Sequence, residues 1–208
     1  MVSRDKLLAW IEALQKVYNE NKQYLTELDS AIGDADHGIN MNRGFTNAMA
    51  ELEKKPPDDI TTALKTVAMA LIRTVGGAAG PLYGTFFMRA STACAGKESL
   101  DSDGVVALFE AGLEGVLQRG KAELNDKTMV DALTPGLNAM KQALNNGAEL
   151  SEILQQGTAA AEEGMKNTIP LQARKGRASY LGERSIGHQD PGATSSYLMI
   201  KTATEVWG

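Results

Sequence analysis

The 208-residue chain contains a single cysteine, Cys94. One cysteine excludes an internal disulfide and removes any cage of thiolates around a metal. It lies in the apolar stretch Phe86 to Ala95, where a buried, inert thiol is expected. Long apolar runs are also missing, and none approaches the roughly 20 residues that a membrane-spanning helix requires. Met1-Val2-Ser3-Arg4-Asp5 leads straight into an amphipathic pattern without an apolar h-region, so no secretory signal is expected and the cytoplasm is the expected compartment. Positive charge is scarce: 21 Lys and Arg stand against 26 Asp and Glu, for a formal net charge of -5. Such a molecule repels nucleic acid and anionic membranes, and neither is expected as a partner. If it handles phosphates, it must neutralise them locally, with metal ions or a small basic patch.

Convincing alternating strands are absent too, and the apolar runs are rich in Ala, Leu and Met rather than in β-branched residues. What is present is helical periodicity along almost the whole chain. Leu7, Ile11, Leu14, Tyr18, Leu25 and Leu28 predict one long first helix with Ser3 as its N-cap. Met41, Phe45, Ala48 and Leu52 mark a second, ending before Pro56-Pro57. A third opens after Asp58-Asp59, a fourth follows Pro81, and a fifth starts near Asp101-Ser102. The sixth runs from about Thr128 to Leu144 with Pro135 as a kink, and Ser151 caps the seventh, with Leu150 as a staple. Asp190 and Pro191 open the eighth. The expected fold is all-α: one domain over residues 1–208, an antiparallel eight-helix barrel or bundle. Alternate joints of such a bundle share an end. Four joints carry unusual chemistry: residues 29–40, 76–85, 119–128 and 170–192.

In the first, Gly33 and Gly38 break the helix around Asp34 and Asp36, and Asp29 is placed to fold back toward them. Three unpaired carboxylates repel one another, and a hard divalent cation such as Mg²⁺ relieves that cost. A solvated acidic loop with Asp34 capping the next helix is the competing reading. The second joint, Val75 to Thr85, is glycine-rich and opens a helix, so it offers backbone N–H groups to an anion, or else lets helices pack closely. It is neither a Walker A loop nor a dinucleotide fingerprint. In the last joint Arg174, Lys175, Arg177 and Arg184 face only Glu183, which suits a polyanion, a solvated face or an acidic partner. His188 beside them reads as a base or as a structural hydrogen-bonding group.

Together, Ile32 to Gly44, Val75 to Thr85, Arg119 to Ala122 and Gln172 to Ala193 resemble the ADP-binding L subunits of bacterial dihydroxyacetone kinases, over essentially the whole chain. The resemblance implies ADP or ATP held tightly at one end of an eight-helix barrel through two Mg²⁺ ions. Asp29, Asp34 and Asp36 become the metal ligands. His37, Gly38, Ile39, Asn40, Gly77, Ala78, Ala79, Gly120, Met129, Arg177, Asp190, Pro191 and Gly192 become nucleotide contacts. Arg177 is the residue implied to act in catalysis, Met129 lies against the adenine, and Gly120 to Lys127 act as a lid. Two departures are visible: Ala79 stands where Ser is frequent, and Asn125 where Gly is common. Ala35 and His37 set the chain apart from the longer fused, ATP-using members, whose loop reads Gly-Asp-Gly-Asp-Cys-Gly. The implied partners are a dihydroxyacetone-binding K subunit and the phosphocarrier M subunit of the phosphotransferase system, which rephosphorylates the ADP. A transcription regulator and a second copy of the chain are further partners the family suggests. Direct use of free ATP and a nucleotide-sensing regulatory role are the alternatives.

Overall fold

The computed structural model describes residues 1–208. Nine α-helices follow in order: α1 (Arg4–Glu20), α2 (Lys22–Ile32), α3 (His37–Lys54), α4 (Ile60–Thr74), α5 (Ala79–Ala93), α6 (Ser102–Gly120), α7 (Val130–Asn145), α8 (Leu150–Asn167) and α9 (Pro191–Trp207). A short 3₁₀ segment, Arg177–Ser185, precedes α9, and two strands of two residues each, β1 (Val2–Ser3) and β2 (Ser99–Leu100), pair antiparallel. Each helix from α2 onward packs on the next, and α9 returns to pack on α1, closing the ring.

The all-α expectation holds, with one more helix than the periodicity predicts. The expected first helix is two, divided at Asn21, whose backbone N–H and side-chain Nδ2 both donate to the Val17 carbonyl at 2.9 Å. A side chain that takes up its own helix's carbonyl competes with helix continuation. Ser3, Asp59, Asp101 and Asp190 cap α1, α4, α6 and α9 through their side chains, as short polar residues do. Ser151 does not cap α8: the helix starts one residue earlier, behind Glu149, and Leu150 is its first residue rather than a staple before it. Pro81 falls within the first turn of α5, where a missing N–H costs nothing.

The core is one continuous cluster of 44 buried residues. Both tryptophans and all four phenylalanines meet in it, with Trp10 4.7 Å from Trp207 and 5.8 Å from Phe87 between ring centroids. Contacts of this kind add about 0.5–1.5 kcal/mol each beyond the area they bury. Because Trp207 belongs to α9 and Trp10 to α1, the cluster also fastens the closure of the ring. On one face α8 lies hard against α7. A Cβ on Gly164 would stand 2.1 Å from the Asp131 carbonyl, the acceptor that Pro135 has no N–H to meet.

Candidate functional site: a cavity at four helix N-termini

Antiparallel alternation puts the N-termini of α3, α5, α7 and α9 at the same end of the ring. Between them lies a cavity of about 370 Å³. Its walls come from all four of the chemically unusual joints, with Leu82, Val116, Met129 and Val130 supplying an apolar side. The N-terminus of each helix carries unsatisfied N–H groups and a partial positive charge. Four such ends around one cavity make it receptive to an anion in an otherwise acidic protein. The N-terminus of α5 is the barest: Ala78 has no side chain to cap it, and Gly77, at φ +64°, turns the chain so that Gly77, Ala78 and Ala79 face the cavity.

One wall is acidic. Asp29, Asp34 and Asp36 each place a carboxylate oxygen within 4.8 Å of the others. Asp29, at the end of α2, is buried and already engaged: its Oδ2 accepts the backbone N–H of Asp36 at 2.8 Å and of His37 at 3.1 Å. It therefore caps α3 from another helix, while Asp36, the residue preceding α3, makes no cap of its own. Gly33 is required beside it, since a Cβ there would fall 2.0 Å from Asp29 Oδ1. Ala35, at φ +60°, completes the tight reversal between Asp34 and Asp36. This all-oxygen, carboxylate-only donor set suits Mg²⁺, which keeps free positions for phosphate oxygens and water.

A basic wall faces it. Lys175, Gly176 and Arg177 line the cavity, and Arg177 Nε lies 2.8 Å from Asp34 Oδ2. Arg119 joins them from α6.

Beneath the acidic wall runs a buried polar network. His37 Nε2 lies 2.8 Å from Ser195 Oγ, which is 2.7 Å from the Tyr83 hydroxyl, and Tyr18 donates to the Ser195 carbonyl at 2.8 Å. Burial pushes the His37 ring down from its ordinary pKa, against the pull of Asp29, Asp36 and Asp34. Asp190 caps α9, accepting the Ala193 N–H at 2.7 Å, and burial raises its carboxyl to about 7. Burial likewise raises Asp131, whose carboxylate accepts the N–H of Thr128 at 2.8 Å and that of Asn125. Lys127 is 1% exposed, and burial lowers its ammonium while Asp190 pulls the other way.

Of the residues expected at the site, Asp29, Asp34, Asp36, His37, Asn40, Gly77, Ala78, Ala79, Gly120, Met129, Arg177, Asp190, Pro191 and Gly192 line this cavity. Gly38 and Ile39 stand outside the lining. A Cβ on Gly38 would meet the Lys22 carbonyl at 1.9 Å, so that glycine serves the close approach of α3 to α2, and the Ile39 side chain is exposed. His188 and Arg184 are exposed and outside it as well. The stretch Gly120–Lys127 is tied down in its second half by Asp126 and Asp131, with Asn125 in the left-handed region at φ +72°. Lys127, Thr128 and Tyr83 are lining residues that periodicity and motif did not single out. Lys127 in particular reads in sequence as an ordinary loop charge between Asp126 and Thr128.

Known proteins resemble this chain over nearly its whole length. The chain is 45% identical over 200 residues to the PEP-dependent dihydroxyacetone kinase, ADP-binding subunit DhaL, of Escherichia coli K12, covering 96% of this chain and 95% of that protein. It is 41% identical to the PTS-dependent dihydroxyacetone kinase, ADP-binding subunit DhaL, of Lactococcus lactis IL1403, covering 99% of each. Its fold is similar to that of the dihydroxyacetone kinase of C. freundii solved in complex with AMP-PNP and Mg²⁺, with a TM-score of 0.74 and 23% identity over 98% of this chain. This chain spans 34% of that longer one. The family described as the DAK2 domain matches residues 31–205, most of the chain's length. The protein belongs to the DAK2-domain family.

Proposed function

We propose that this chain is the nucleotide-binding subunit of a phosphotransferase-system-linked dihydroxyacetone kinase, carrying ADP as a resident cofactor. One observation supports this most: a triad of carboxylates and four helix N-termini open into the same cavity. Helix N-termini attract a phosphate chain, whereas the triad repels it unless cations stand between. Asp29, Asp34 and Asp36 would hold two Mg²⁺ ions, which would supply the positive charge that neutralises the phosphates. The backbone N–H groups of Gly77 to Ala79 donate to phosphate oxygens, and Arg177 offsets charge as the phosphoryl group moves. Met129 and Val116 offer the adenine an apolar bed, with Gly120, Pro191 and Gly192 at its edge. Asn40, at the cavity wall, accepts a hydrogen bond from the Arg43 guanidinium through its Oδ1 at 2.6 Å.

No residue of this chain needs to deprotonate the sugar. Dihydroxyacetone sits on a separate K subunit, and a phosphocarrier rephosphorylates the ADP in place. Both partners belong in the cytoplasm, and no helix of this chain is long and apolar enough to cross a membrane. Contact with a transcription regulator and a homodimer are additional associations that the same reading admits.

Native mass spectrometry of the purified chain tests the cofactor. The expected mass includes ADP and two Mg²⁺; apoprotein alone sinks the reading of a resident nucleotide, and a doubled mass reveals the homodimer. Reconstitution with the K subunit tests the donor. Turnover should require phosphoenolpyruvate and the phosphocarrier chain, and turnover with free ATP alone would assign the chain to the ATP-using branch.

A further inference from the structure

Lys127 has no part in the chemistry described so far, yet few side chains in the molecule are so completely engaged. Its Nζ donates to the carbonyls of Thr168 at 2.8 Å, Leu171 at 3.0 Å and Ser185 at 2.8 Å, with that of Ile169 at 3.5 Å. An ammonium has three N–H bonds, and three short acceptors satisfy them all. Thr168 is the C-cap of α8 and Ile169 follows it, at the carbonyl end of the helix, where the dipole favours a cation. Ser185 ends the 3₁₀ segment. One side chain thus gathers both ends of the loop 168–185 from beneath.

Further bonds close the same base: Arg174 N–H to the Asp126 carbonyl at 3.0 Å, Ala173 N–H to Ser185 Oγ at 2.9 Å, and Gly187 N–H to the Ile169 carbonyl at 2.8 Å. Above this base the loop projects Lys175 and Arg177 into the cavity. The chain offers little else to hold them, because Arg177 is mostly exposed and its one ion pair is to Asp34.

We infer that Lys127 is a positioning residue: its buried ammonium clamps the base of the loop 168–185 and thereby sets where Arg177 meets the nucleotide phosphates. The inference rests on the nucleotide reading of the cavity, and two measurements keep the two apart.

The first needs no ligand. In Lys127→Met the carbonyls of Thr168, Leu171 and Ser185 lose their donor, and hydrogen exchange at the amides of Ala173, Arg174 and Gly187 should quicken at least about tenfold, while amides of α1 and α3 keep their protection. Unchanged exchange at these three amides overturns the clamp, whatever the cavity binds. The second is a double-mutant cycle read by calorimetric binding of Mg²⁺ and ADP. Lys127→Met and Arg177→Ala should each weaken binding about tenfold, and the double variant should be no weaker than the poorer single one within about twofold. Losses that multiply to about a hundredfold overturn the coupling to Arg177. Failure of the wild-type chain to bind ADP overturns the nucleotide reading, and with it the role toward Arg177, while the exchange result still decides the clamp. Lys127→Gln keeps two N–H donors and is the milder second variant, with the same order of effects at smaller size.

Discussion

The Nε of Arg177 lies 2.8 Å from Asp34 Oδ2, so the basic loop before α9 meets the acidic loop before α3 across the mouth of the cavity. The guanidinium and a cation held by the acidic triad would compete for the same carboxylate. Arg177→Ala should therefore raise the affinity for Mg²⁺ alone while lowering that for ADP with Mg²⁺. Both partners are well exposed, so the gain for the bare ion is modest, up to about fivefold. Titration calorimetry with and without ADP reads both arms, and a loss of affinity in both would show that Arg177 does not compete for Asp34.

Asp29 and Asp34 are expected to fail differently. Asp29 accepts two N–H groups at the start of α3, so Asp29→Ala should lower stability by about 1–2 kcal/mol even without ligand. Asp34 makes no bond of that kind, and Asp34→Asn should leave the unfolding midpoint nearly unchanged. Both should lose Mg²⁺-dependent nucleotide retention. Chemical denaturation beside binding assays separates the two roles; equal stability of the two variants would remove the capping role.

Asp190 imposes a pH dependence on the nucleotide-free protein. Its carboxyl is raised from 3.8 to about 7 when folded, so the folded state holds a proton that the unfolded chain releases at lower pH. The stabilisation is complete below about pH 4 and is lost as pH rises through about 7, amounting to at most about 4 kcal/mol. Asp190→Asn keeps an oxygen for the Ala193 N–H and should flatten this slope, leaving the variant relatively more stable at pH 8. Urea unfolding across pH 5 to 8 checks it, and parallel slopes for the two proteins would contradict it.

The crossing of α7 and α8 leaves no room at Gly164. Gly164→Ala puts a methyl 2.1 Å from the Asp131 carbonyl, and separating the helices should cost about 3 kcal/mol. Asp131 also holds the loop before α7, so nucleotide affinity should fall together with the melting temperature. A variant as stable as wild type would contradict the close approach of α8 to α7 at this position.

Cys94 is fully buried with its thiol pushed up to about 11. A thiol-specific disulfide reagent should leave the native protein unmodified and label it only on unfolding. Labelling of native protein at the rate of free cysteine would disprove the burial.

Much of this was readable along the chain, and the misses have particular causes. Leu25 and Leu28 continue the apolar rhythm of Leu7 to Tyr18, so periodicity alone runs α1 into α2; the break depends on which carbonyl the Asn21 side chain reaches. Ser151 is as good a capping residue as Ser3, but α8 begins before it. Gly38 and Ile39 adjoin His37 and Asn40 in sequence, yet a helix turns successive residues through about 100°, so they face elsewhere.

The amino-acid sequence by itself determined the helical class, the four joints with unusual chemistry and the residue types suited to metal and phosphate, because periodicity, glycine breaks and charge clusters are local properties. The tertiary structure alone decided what those joints do together. Closing α9 onto α1 brings the four helix N-termini into one end, and a partial charge of each becomes a shared field only when they converge. It also decided that Asp29 caps a helix other than its own and that Lys127 is a buried clamp rather than a surface charge. The first depends on how the chain reverses between α2 and α3, the second on carbonyls 41 to 58 residues away, and burial is a property of the assembled ring.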